Sequence, residues 1–128
     1  MLTAPLVSAY FFEALANLFY AVAVADKVLV FDEKKAIFNE ISNYWVYNVD
    51  GNSSTDIMYA HLRQLIHEAT ESSEALDVFK DYYAEHETDF SVEIKKAIFD
   101  SVNIIAGAYS NKNKSELGVI AQLRLLFS

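Results

Sequence analysis

Phe19-Tyr20-Ala21-Val22-Ala23-Val24-Ala25, then Asp26-Lys27-Val28-Leu29-Val30-Phe31, then Asp32-Glu33 reads as an apolar helix ending in small residues, a short loop, and a second helix opened by acids. The same order returns at Ile104 to Ala108, Tyr109 to Lys114, and Ser115-Glu116. A shift of 83 residues lays Ala23 on Ala106, Ala25 on Ala108, Glu33 on Glu116, Ile37 on Ile120, and the cap Asp32 on the cap Ser115. Four identities in 23 positions are near chance for similar helices, so the matching organisation carries the reading: a duplicated helix-loop-helix unit.

The 128 residues fit one domain spanning 1–128, and 53% hydrophobic residues with three Gly and one Pro place the chain far from the disordered class. With no Cys, disulfides, thiolate chemistry and thiolate zinc sites are absent, which fits a reducing, cytoplasmic setting. Leu2 to Ala25 is apolar, yet no basic residue precedes it and Glu13 and Asn17 interrupt it. It reads as a core helix rather than a signal peptide or a membrane span.

The periodicity predicts an all-α bundle of six to seven helices formed from two similar halves. Helix one runs from about Pro5 to Ala25. Helix two, from Asp32 to about Tyr47, turns Ala36, Ile37, Ile41, Tyr44 and Trp45 inward. Asn48-Val49-Asp50-Gly51-Asn52-Ser53 is a turn cluster. Helix three opens at Ser53 to Asp56 and reaches about Glu71, with Leu62, Leu65, Ile66 and Ala69 inside. Helix four, capped by Ser72-Ser73, buries Leu76, Phe79, Tyr82 and Tyr83 and ends near Glu87. Helix five starts at Asp89 or Ser91 and repeats Ile94, Ile98, Val102, Ile105 and Tyr109; helix six covers Ser115 to Phe127. Val28 to Phe31 is the sole candidate strand. The cluster Tyr44, Trp45 and Tyr47 belongs either to the core or to a homodimer face.

The formal net charge is −8, and residues 68 to 93 alone hold nine acids against Lys80, again −8. On helix four Glu74, Asp77, Asp81 and Glu85 share an arc of about 80 degrees opposite the Leu76, Phe79 and Tyr83 side. Such a stripe either keeps a solvated face soluble or steers a protein partner with a basic surface. Nucleic acid is disfavoured, because ten scattered Lys and Arg form no phosphate-binding patch.

Catalytic motifs are missing. His61 and His67, six apart, lie on different faces of one helix, and no Gly-rich phosphate loop, nucleophile elbow or zinc-helix pattern occurs. Asn111, Asn113 and Ser115 imitate a calcium loop, but its twelfth position is Gln122 rather than an acid. Glu13, among apolar neighbours, is the one carboxyl with the setting of an acid or base; a hydrogen bond to Asn17, Tyr10 or a loop N–H explains it equally well. The paired loops offer Asp26, Glu33 and Glu116, with Asn111 and Asn113, as oxygen ligands for Ca²⁺ or Mg²⁺ if the units pack about a pseudo-twofold axis. The alternative is that Glu33 and Glu116 only favour the positive ends of their helices.

Ala21-Val22-Ala23-Val24-Ala25-Asp26 with Glu33 seven positions on, and its echo Ala106-Gly107-Ala108-Tyr109 with Glu116, resembles the TerB-like tellurite-resistance proteins over roughly residues 10 to 127. The resemblance implies an all-helical domain of about seven helices in two similar halves, a role in tellurite resistance or bacterial stress response, and kinship with domains on membrane-anchored DnaJ-like co-chaperones. It also implies an acidic metal site, which carries over to Asp26, Glu33 and Glu116. Lys27 replaces the Gly that usually follows the first Asp, and Tyr109 stands where the second Asp would be. The reading is therefore a non-enzymatic cytoplasmic interaction or sensor domain presenting Glu74, Asp77, Asp81 and Glu85; the alternative is a divalent-cation domain.

Overall fold

Ser8 and Ser91 open two helices in the same way. Each holds extended backbone, and each side-chain oxygen accepts from the N–H three residues on, Phe11 at 3.3 Å and Ile94 at 3.2 Å. The computed structural model describes residues 8–26, 29, 31–107 and 114–128. In it α1 (Ala9–Ala23) and α2 (Phe31–Tyr44) are followed by a two-residue hairpin, β1 (Asn48–Val49) and β2 (Asn52–Ser53). Then come α3 (Ser54–His67), α4 (Ser72–Glu85), a 3₁₀ turn at Glu87–Asp89, α5 (Val92–Ala106) and α6 (Lys114–Phe127). The described residues form an all-α bundle of six α-helices. Among the described residues no helix is long and apolar enough to cross a membrane.

The repeat read from two loops extends through both helices of each unit. Adding 83 to the bounds of α1 gives those of α5, and adding 83 to α2 gives α6. The caps Ser8 and Ser91 obey the same shift. Every residue that α5 buries (Ile94, Ile98, Ser101, Val102, Ile105, Ala106) has a buried counterpart in α1 (Phe11, Leu15, Leu18, Phe19, Val22, Ala23). Packing agrees: α1 touches α2 as α5 touches α6, and α2 packs on α5 as α6 packs on α1. That exchange of partners is what a pseudo-twofold arrangement produces.

The halves then diverge in role. α1 is buried on nearly all sides, with Phe12, Leu15, Leu18 and Phe19 fully covered, so it forms the axis on which α3, α4, α5 and α6 pack. Its small end lets chain approach closely: Ser72 Oγ donates to the Ala21 carbonyl at 2.7 Å, and Tyr20 OH donates to the Thr70 carbonyl at 2.6 Å.

Several boundaries differ from the expected ones. Pro5 and Tyr109 lie outside the described residues, as do Val28 and Val30 of the candidate strand, whose Phe31 begins α2. The strands fall instead at Asn48–Ser53, where Asp50 and Gly51 take φ of 51° and 85° and pair Asn48 with Ser53, the backbone a two-residue hairpin requires. Helix two stops at Tyr44 instead of Tyr47 because Ser54 Oγ donates to the Trp45 carbonyl at 2.7 Å and accepts from Tyr47 N–H at 2.6 Å. Helix three stops at His67: Ala69, expected inside, turns outward at φ 51° while Ala69 and Thr70 N–H bond back to Ile66 and Leu65. Ser72 is the first residue of α4 rather than its cap, a position held by Glu71.

Candidate functional site

Three polar groupings stand out once the helices are placed. The first is the expected acidic face. Ala75, Leu76, Phe79 and Tyr83 anchor α4 to the core, which turns Glu74, Asp77, Asp81 and Glu85 outward, all four exposed. None of the four forms an ion pair among the described residues, and Lys80 is held by Gln122 Oε1 at 2.7 Å on another helix. Val78, 46% exposed, lies about 20 degrees beyond Glu85 at the edge of this arc, so the face is bordered by an apolar point. Tyr82, expected in the core, is half-buried and stacks on His86 at 4.1 Å between ring centroids.

The second grouping is the pair of helix starts. Glu33 and Glu116 are both buried, as the 83-residue shift demands of equivalent positions, whereas Asp26 is exposed. Both sit in the first turn of their helices, where a carboxylate favours the positive end of the dipole, and both are covered there. Yet no three Asp, Glu or His side chains come together as a metal-holding group among the described residues, so the expected ligand set of Asp26, Glu33 and Glu116 is not gathered. Asn111 and Asn113 lie outside the described residues.

The third grouping centres on buried Asn17, whose Nδ2 donates to the Glu13 carbonyl at 3.0 Å and meets His61 Nε2 at 2.7 Å. Glu13 is thus tied to Asn17 through its backbone oxygen, not its carboxyl. With Nδ2 as donor, His61 Nε2 must be the bare acceptor nitrogen, so the imidazole is neutral. Burial holds its pKa below the ordinary 6.5, outweighing Glu13 and Glu68, which pull it upward. The unfolded chain binds the His61 proton first as pH falls. This contribution to stability is therefore complete above about 6.5 and is lost as the medium drops through the folded-state value. Urea unfolding from pH 7.5 to 5.0 should show wild type losing stability faster than a His61→Gln variant; parallel curves would contradict this.

One constellation escaped the sequence reading. Glu40, only 5% exposed, accepts from Ser101 Oγ at 2.7 Å, and Ser101 Oγ in turn accepts from the Trp45 indole N–H at 3.0 Å. Burial raises the Glu40 pKa above its ordinary value, with Asp100 adding to the rise and the Ser101 bond opposing it. The signal was available in the repeat: shifted by 83, Glu40 falls on Leu123 and Ser101 on Leu18, both fully buried. Of the aromatic cluster beside it, Trp45 is core, Tyr47 half-buried and Tyr44 63% exposed. Comparison of the chain with models of protein families, with curated proteins and with solved structures finds no match.

Proposed function

We propose that this chain is a non-enzymatic interaction or sensor domain that meets a basic protein partner through α4, in a cytoplasmic stress response of the kind the TerB-like resemblance implies. The observation that supports it is the firmly seated helix bearing Glu74, Asp77, Asp81 and Glu85, exposed, in no ion pair among the described residues, and bordered by exposed Val78. Burial of α4 on its opposite side fixes the backbone that carries the carboxylates before any partner arrives, so no helix ordering remains to oppose binding. Clustered charge of one sign accelerates encounter with an oppositely charged surface by roughly 10- to 1,000-fold at low salt.

The test is affinity capture with wild type and with a variant reversing all four acids to Lys. Partners retained by wild type should elute at moderate salt and be lost by the reversed protein, while Val78→Ser should weaken retention without changing its salt dependence. Because all four positions are solvated, the reversed protein should melt within a few degrees of wild type. An unchanged set of partners removes the proposal.

A further inference from the structure

Between the C-terminal half of α2 and the middle of α5 lies a cleft of about 490 Å³, lined by Glu40, Tyr44, Ala97, Asp100, Ser101, Asn103 and Ile104. Its volume lies in the range of small-molecule sites. None of its lining residues belongs to α4, so it is separate from the acidic face discussed above.

The cleft sits at one of two junctions that the internal repeat makes equivalent. Where α6 packs on α1, the positions concerned are Leu123 and Leu18, both 0% exposed. Where α2 packs on α5, they are Glu40 and Ser101. The same helical geometry is thus built once with two leucines and once with a carboxyl and a hydroxyl, so the fold does not require polarity there. Replacing leucine by a carboxyl at a covered position is unfavourable unless something answers its charge. Among the described residues no Lys, Arg or His lines the cleft. Lys96 is nearby but paired with Asp100 at 3.1 Å in an exposed contact, a kind worth little and readily exchanged. Glu40 uses one oxygen, Oε1, for Ser101, leaving Oε2 for another donor.

We infer that this cleft binds a small organic cation, a primary ammonium or guanidinium on a short apolar stem, with the charged head between Glu40 and Asp100. Tyr44, Ala97 and Ile104 line the same cleft and supply aromatic and apolar contact for the stem. A bare metal ion is a poorer match, because two carboxyls with aliphatic and aromatic walls suit an organic molecule. The raised pKa of Glu40 adds that an arriving cation draws the carboxyl into its charged form and releases a proton where it had been neutral.

Trp45 makes the idea measurable. It is the only Trp in the chain, and its indole N–H bonds to the hydroxyl that Glu40 engages, so its single indole NMR signal reports on the carboxyl. Titration with n-butylamine and n-butylguanidine should move that signal along a saturable curve, while n-butanol, with the same stem and no charge, should not. Glu40→Gln should weaken binding at least tenfold and Asp100→Asn by a smaller factor. Glu40→Leu copies the apolar junction of the other half and should fold well while giving no saturable heat with either cation in titration calorimetry, which decides the matter even if the Gln variant is unstable. A linear response in wild type, an equal effect of butanol, or undiminished binding by Glu40→Leu would each overturn the proposal.

Discussion

Truncating Phe90 to Ala is expected to lower stability by about 3–5 kcal/mol, a fall in Tm on the order of 10–20 °C. Phe90 belongs to no helix: it lies between the 3₁₀ turn and the cap Ser91. Yet it is 4% exposed, and its ring meets Phe11 at 5.6 Å, Phe79 at 6.1 Å, Tyr82 at 6.2 Å, Tyr83 at 4.9 Å and Phe127 at 6.1 Å. Those partners come from α1, α4 and α6, so one side chain in a connection joins three helices. Removing it leaves a cavity that rigid helices cannot collapse into, besides forfeiting edge-to-face contacts worth roughly 0.5–1.5 kcal/mol each. Phe90→Leu, which retains most of the volume, should recover more than half of the loss. Denaturant unfolding of both variants is the measurement, and a loss below 1 kcal/mol for the Ala variant would show the ring cluster to be dispensable.

Ser101→Ala is expected to cost roughly 2–4 kcal/mol, far more than the loss of one small hydroxyl suggests. The buried hydroxyl serves two groups at once, accepting from Trp45 Nε1–H and donating to Glu40 Oε1, and its removal strands both. Ser101→Thr keeps the hydroxyl and should be much milder. Pairing Ser101→Ala with Glu40→Leu removes one stranded group and should recover part of the loss, a non-additivity that a double-mutant cycle reads directly. The deficit should also vary with pH. Because the folded-state pKa of Glu40 is raised above about 4.5, the folded chain holds this proton longer than the unfolded one, so Glu40 lowers stability as pH rises through the raised value. Without Ser101 to favour the charged form the folded-state value lies higher still, so that loss grows and continues to higher pH. Unfolding free energies from pH 4.5 to 8 in wild type, Ser101→Ala and Glu40→Gln measure it; a pH-independent difference would remove the link between hydroxyl and carboxyl.

These two sites also show where the sequence was legible. The apolar periodicities of Ile94, Ile98, Val102 and Ile105, and of Leu76, Phe79 and Tyr83, are recovered as buried faces, since helical spacing follows from backbone geometry alone. The 83-residue shift emerged from two loops and a handful of small residues, and the element bounds obey it throughout. The four acids of α4 were placed on the exposed side for the same reason. Phe90 was invisible because a residue outside a periodic segment carries no sign of facing inward. Tyr44 and Trp45 illustrate the same limit: adjacent aromatics on one predicted helix, of which Trp45 is buried and Tyr44 exposed, because Ser54 ends the helix between them.

Composition and periodicity alone determined that the chain folds as helices, where their inner faces lie, that the unit is repeated, and that its net negative charge is concentrated between residues 68 and 93, with four acids on one face of α4. Each of these depends on neighbours in the chain, on spacings of three, four or 83 residues that are written in order. Packing between distant helices buries Glu33 and Glu116 but not Asp26, brings His61 to Asn17 across 44 positions, and sets Glu40 and Ser101 in place of a leucine pair beside a cleft. Those outcomes turn on which helix packs against which. Pairings of that kind are set by the summed burial of the whole chain, and no local window of sequence contains them.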